Sequence, residues 1–139
     1  RAEIGSLRPF CNFFDRESLS MRRSLSQVVV SAVLPVYNEA KVLERLAQRV
    51  TESIAQTGAR YEVVFVNDGS TDASPEILDR LAEQDARIRV VHFSRNFGHQ
   101  AAVQAGLSFA SGDVVILIYN LSCSIRRTII HYQNIKRYV

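Results

Sequence analysis

Acidic side chains are missing from the end of this chain: residues 119–139 contain no Asp and no Glu, while Arg126, Arg127, Lys136 and Arg137 all fall there. Tryptophan is absent altogether, and cysteine is scarce, with 2 in 139 residues. Cys11 and Cys123 form no CxxC and have no metal-ligand spacing, which excludes a disulfide framework and points to a reducing compartment. No apolar run approaches the ~18–20 residues that cross a bilayer, so no transmembrane segment is expected. Arg1 to Ser20 mixes charges with Phe13 and Phe14 and does not read as a signal peptide. Glycine is missing where a dinucleotide-binding fold needs it. The turn after the first strand reads Pro35-Val36-Tyr37-Asn38-Glu39, with nothing that lets a backbone approach a pyrophosphate. A P-loop is excluded as well, because no Gly-Lys-Ser/Thr occurs.

What remains is the composition of an ordinary globular chain, 47% apolar and 22% charged, with room for one domain. A formal charge of +3 permits an anionic partner without demanding one, and nothing calls for nucleic acid. Residues 1–27 carry no clear period and read as an irregular extension. Either Met21, followed by Arg22 and Arg23, is the natural start and what precedes it an extension or misread upstream region, or the segment is a disordered N-terminal arm. From Val28 the pattern is regular. Val28–Leu34 and Tyr61–Val66 read as buried parallel strands. Between them, Glu39–Gln56 has an apolar stripe at helical spacing, closed by Gly58. Ser74-Pro75-Glu76 opens a second helix, with Ser74 as its expected cap and Pro75 in the first turn. Ile88–Phe93 is a third strand, His99–Ala110 a small-residue helix, and Val114–Ile118 a fourth strand. Alternating strands and helices with short connections predict an α/β fold, a parallel sheet covered on both faces.

Acidic turns close the first two strands. Asn67-Asp68-Gly69-Ser70-Thr71-Asp72 follows the second, and the mouth of a parallel sheet is where ligands bind. The run is not the aspartyl-phosphate turn of phosphohydrolases, which needs two carboxylates two residues apart. Here Asn67 is an amide and Asp72 stands four residues beyond Asp68. Three motifs in order, Pro35-Val36-Tyr37-Asn38-Glu39, Val66 to Asp72, and Ser94-Arg95-Asn96-Phe97-Gly98-His99-Gln100, closely resemble the family 2 glycosyltransferases. The likeness covers Val28 to Ile118. It is strongest to the branch that loads a sugar onto a polyprenyl phosphate, akin to dolichol-phosphate mannose synthase and bactoprenol glucosyltransferases.

The resemblance implies a Rossmann-like GT-A half-domain over residues 28–118, with strand order 3-2-1-4. It also implies a nucleotide-diphosphate sugar donor, a UDP-sugar first, and a polyprenyl-phosphate acceptor at the cytoplasmic membrane face, with Mg²⁺ or Mn²⁺ at the diphosphate. An ionised carboxylate offers only acceptors to the N3–H of uracil. Asp68 is therefore expected to contact the base, with Pro35, Tyr37, Glu39 and Asp72 around the nucleotide and Arg95 and His99 near a phosphate at a helix start. This reading requires parallel strands and an Asp68 carboxylate open to the ligand. Plainer roles stand beside it: turn and cap duty for Asp68 and Asp72, packing for Tyr37, solvation for Arg95, structure for His99.

The family's Asp-x-Asp metal motif belongs after the fourth strand, and there this chain has Tyr119, Asn120 and Leu121. The expectation is a half-domain truncated after that strand, through a change of reading frame near Ile118, with little or no turnover and an exposed strand edge. A non-catalytic nucleotide-sugar-binding module and a gene fragment without function are the alternatives. Residues 119–139 form an atypical basic tail. Ile125, Ile129, Tyr132, Ile135 and Val139 would share one face of an interfacial helix, although the same residues also suit a strand. The donor sugar and the oligomeric state are not legible.

Overall fold

The computed structural model describes residues 28–118 and the backbone pairing of Gln133–Asn134. In chain order the elements are β1 (Val29–Val36), α1 (Ala40–Ala55), β2 (Arg60–Asn67), α2 (Ser74–Gln84), β3 (Ile88–His92), α3 (His99–Phe109), β4 (Val114–Leu117) and β5 (Gln133–Asn134). The strands form one sheet in the order β3-β2-β1-β4-β5. The first four run parallel and β5 pairs antiparallel to β4. The expected α/β class and the 3-2-1-4 order both hold.

Alternation along each strand sends neighbouring residues to opposite faces. Leu34, Val36 and Phe65 pack on one side with Leu43, Leu46 and Leu78 of α1 and α2. Val33, Val64 and Val66 pack on the other with Ala102 of α3. Phe65, Leu34 and Leu43 are fully buried, and burial of such a side chain is worth about 1.5–3 kcal/mol. The α3 helix lies close to the sheet because it is built from small residues. A Cβ on Gly106 would come within 2.2 Å of Val33 Cγ1, so this position takes nothing larger without a shift.

Pro35 sits in a central strand, where a missing N–H is normally harmful. Its register explains the exception. Val33 and Val36 carbonyls point to opposite neighbours, Val33 to Ile118 N–H on the β4 side and Val36 to Asp68 N–H on the β2 side. Backbone groups alternate along a strand, so the ring nitrogen of Pro35 faces the β4 side. The β1–β4 ladder has already ended there, at Val33↔Leu117. Among the described residues β4 pairs no further than this, and β1 and β4 are the neighbours at the switch point of the sheet.

Helix ends bring one correction. Ser74 caps α1, not its own helix: its Oγ accepts Glu39 N–H at 3.1 Å, and α2 has Ala73 as N-cap with no side-chain cap bond. Gly58 behaves as expected, with φ 73° and its N–H bonded to Ala55 C=O. The outer edge of β4 is not wholly bare, because Val114 and Val115 pair with Asn134 and Gln133. At Gln133–Asn134 the backbone is strand, which corrects a continuous helical face at those two positions. Residues 1–27, the metal-motif positions Tyr119 to Leu121 and the rest of the tail lie outside the described residues.

Candidate functional site

The candidate site residues from Pro35 to His99 fall at the carboxyl ends of β1, β2 and β3 and in the loops that follow them. Two loops interlock there. The turn after β2 folds over the start of α1 and supplies the caps that α1 lacks, since Glu39 at its N-cap makes no side-chain cap bond. Asn38 N–H donates to Ser70 Oγ (3.0 Å), Glu39 N–H to Ser74 Oγ, and Ala40 N–H to Asp72 Oδ2 (3.1 Å). In return Asn38 Oδ1 accepts Thr71 N–H at 2.8 Å. Asn38 stands at φ 53°, a left-handed conformation that asparagine tolerates better than most residues. These bonds satisfy helix-end donors that would otherwise be orphaned.

Asp72 therefore has a definite job. It also accepts Ser74 N–H at 2.9 Å, so one exposed carboxylate caps the starts of two helices. Its pKa is held below the ordinary carboxylate range, first by the Ser74 hydroxyl; burial, next in size, opposes this, and the backbone N–H groups of Ser74, Ala40 and Asp72 itself add to the lowering. Sequence reasoning offered capping as the alternative to ligand binding, and the geometry gives it substance.

Asp68 needs the larger correction. The strands are parallel as required, but residue 68 is only 4% exposed. Its Oδ1 accepts Phe97 N–H at 2.7 Å and its Oδ2 accepts Gly98 N–H at 3.1 Å. An internal carboxylate thus sits at the N-terminal end of α3, where the sequence reading placed a bound phosphate. The close fit extends to Gly69. At φ 67° it lies so near the next loop that a Cβ would stand 2.3 Å from the Arg95 carbonyl carbon.

Asn67 is buried between Ser70 N–H, which its Oδ1 accepts, and His92 Nδ1, which its amide nitrogen approaches at 3.0 Å. His92 Nε2 reaches Asp79 Oδ1 at 2.9 Å. With Asn67 donating, the network assigns His92 the tautomer protonated on Nε2. Sequence reasoning gave Asn67 no role. Its position as the last residue of an apolar strand, one turn before a serine, was the available signal.

Two expected residues stand open. Tyr37 is 46% exposed beside Val36, and Glu39 is half-buried at the start of α1. Pro35 is half-buried near the end of β1, Arg95 is exposed on the loop into α3, and His99 is exposed as the first residue of that helix. A groove of about 450 Å³ lies elsewhere, between α1 and α2, lined by Glu44, Thr51, Arg80 and Asp85 among others. No motif residue lines it.

The family model described as "Glycosyl transferase family 2" matches residues 31–118. The chain belongs to this family. Within it, the chain is 48% identical over 88 residues to "Uncharacterized glycosyltransferase YkcC" of Bacillus subtilis, covering 63% of this chain and 27% of that protein. It is 38% identical over 90 residues to the "Undecaprenyl-phosphate 4-deoxy-4-formamido-L-arabinose transferase" of Salmonella paratyphi B, covering 64% and 28%. The chain thus spans about a quarter of the length of these curated relatives. Among solved structures, the mannosyltransferase PcManGT from Pyrobaculum calidifontis, in complex with GDP-Man and Mn²⁺, superposes with TM-score 0.54 and 28% identity over 63% of this chain and 26% of its own. TarS 1-349 of S. aureus, in complex with UDP, gives 0.52 and 25% over 64% and 26%. These neighbours are GT-A glycosyltransferases, and the family 2 fold seen here is of that type.

A divalent metal accompanies the donor in the PcManGT structure. The described residues do not fit one. Among the described residues no group of three or more His, Cys, Asp or Glu is placed to hold a metal. After β4 the sequence offers Tyr119, Asn120 and Leu121, none of which carries the hard carboxylate oxygens that Mg²⁺ prefers. Among the described residues no helix is long and apolar enough to cross a membrane.

Proposed function

We propose that residues 28–118 form the nucleotide-binding half of a family 2 glycosyltransferase, which takes a nucleotide-diphosphate sugar, a UDP-sugar first, at the tips of β1 and β2. The observation that carries this reading is the interlocked pair of loops at the parallel strand tips, with Tyr37 half exposed beside them. Two relatives support it by name, one solved with UDP and one with GDP-Man. Tyr37 and Pro35 supply an apolar flank for the base, and Glu39 lies at the ribose side. Asp68, buried at the start of α3, serves the proposal by holding the loop that carries Arg95 and not by touching the ligand. Asp72 acts on the nucleotide only through the loops it ties together.

The acceptor we propose is a polyprenyl phosphate at the cytoplasmic face of a membrane, on the strength of the undecaprenyl-phosphate transferase relative. An acceptor that is already anionic needs no strong general base. The test is calorimetric titration of the full chain with UDP. Saturable binding is expected, weakened by Tyr37→Ala; no binding at millimolar UDP defeats the proposal. A second reading, a nucleotide-sugar-binding module without transfer, is favoured by the lack of carboxylates after β4. UDP binding without transfer would select it.

A further inference from the structure

The anion end of α3 is already filled by Asp68, so a diphosphate at the strand tips needs another cation. Arg95 is the group so placed. Among the described residues the arginine ion pairs are Arg80 with Glu44, Arg87 with Asp85 and Arg89 with Glu62. Arg95 takes part in none of them. Its guanidinium instead lies over the Phe97 ring, 4.7 Å from the centroid.

Phe97 is 51% exposed, an unusual place for a large apolar ring in a short loop, and it is held from three directions. Its N–H is bonded to Asp68, its ring meets Phe93 edge-to-face at 5.4 Å, and Arg95 covers it. The backbone of Arg95 is in turn pressed against Gly69. A free arginine carries about 2 kcal/mol of rotamer entropy that it loses on gripping a ligand. Stacking on a ring already held by its neighbours removes part of that loss before the ligand arrives.

Resting on the nucleotide-sugar reading above, we infer that Phe97 is a positioning residue: it holds the Arg95 guanidinium flat and pre-oriented for the phosphate part of the ligand, while Asp68 keeps that phosphate off the helix end. Arg95 is the contact and Phe97 acts through it. The role is specific to the anionic half of the ligand and leaves the base untouched.

The experiment compares the full-length wild-type chain, Phe97→Leu, Arg95→Lys and Arg95→Ala in titrations with UDP and with uridine. Leucine keeps the backbone bond to Asp68 and an apolar contact for Phe93 but offers no face to a cation. Lysine keeps the charge and loses the planar stack. Phe97→Leu and Arg95→Lys should each weaken UDP by about two- to fivefold and leave uridine unchanged. Phe97→Leu added to Arg95→Ala should then change nothing more. Unchanged UDP affinity in Phe97→Leu overturns the inference and leaves the nucleotide reading intact. So does an equal loss for uridine, because it would mean base stacking or a disordered loop. Wild-type protein that binds neither ligand overturns both. If Phe97→Leu does not fold, Phe97→Met takes its place, since methionine also keeps an apolar contact for Phe93 and offers no ring face, and the same outcomes are read.

Discussion

Gly69 shows how a single residue sets the geometry of the strand tips. It needs no side chain for two independent reasons, a left-handed φ of 67° and an Arg95 backbone that leaves no room for one. The second matters more. A left-handed alanine costs about 1–2 kcal/mol, but a Cβ 2.3 Å from a carbonyl carbon forces the two loops apart. Parting them lengthens the bonds from Phe97 and Gly98 to Asp68, and a buried carboxylate with weakened partners is costly. Gly69→Ala is therefore expected to lower stability by about 2–4 kcal/mol in urea unfolding, more than the conformation alone explains. Gly58→Ala is the control. It shares the positive φ, has nothing within 4 Å of its Cβ, and should lose only the conformational part. Equal losses at the two glycines would show that the loop contact carries no weight.

Among the elements, the opposite end of the sheet is tied by a network that sequence reasoning passed over. Glu62 of β2 accepts Ser31 Oγ–H of β1 at 2.6 Å, Ser111 Oγ–H at 2.8 Å and the Ser111 N–H, and faces Arg89 of β3 at 3.4 Å. Ser31 Oγ in turn accepts Gly112 N–H at 2.8 Å. Three strands and the turn before β4 thus meet on one carboxylate. Burial on its own would raise the Glu62 pKa, but the bonds from Ser31, Ser111 and Arg89 outweigh it and hold the group below its ordinary range. A carboxyl that titrates lower when folded stabilises the fold above its unfolded pKa and loses that contribution as the pH falls through the folded value. Glu62→Gln should thus cost about 1–3 kcal/mol at pH 7, with the gap to wild type closing below about pH 4. Unfolding midpoints in urea at pH 7 and pH 3.5 measure it; a gap independent of pH would refute the ionic role.

The same network marks what the sequence could and could not reveal. Strand and helix positions were legible to within about two residues, because apolar runs and helical stripes are local. Ser31 and Glu62 break two such runs and pair in register, a signal visible only once the strands are known to be adjacent. The caps of α1 were not legible, because Ser70, Asp72 and Ser74 reach it from more than thirty positions away in the chain. Asp68 was rightly placed at a strand tip. Its burial depends on Phe97 and Gly98 arriving from another loop, and nothing local reports that.

At the scale of the whole molecule, the matched residues correspond to about a quarter of the length of the curated relatives. Base and phosphate recognition in the proposal rest on side chains within residues 28–118. Metal-assisted departure of the diphosphate would need carboxylates that the sequence after β4 does not supply. Binding and metal dependence should therefore separate. Ligand at ten times its Kd stabilises the folded state by about 1.4 kcal/mol. Each kcal/mol moves the melting midpoint of a domain this size by about 4–8 °C, so UDP should raise Tm by about 5–11 °C. The rise should be the same in EDTA as in Mn²⁺, whereas an enzyme that grips the diphosphate through its own bound metal would lose most of it in EDTA. Sugar transfer from a UDP-sugar to a polyprenyl phosphate, assayed with Mn²⁺ in parallel, is expected to be negligible. A Tm shift that appears only with Mn²⁺ would mean that oxygen ligands from outside the recognised motifs complete a metal site, and the division between binding and catalysis would then fall in the wrong place.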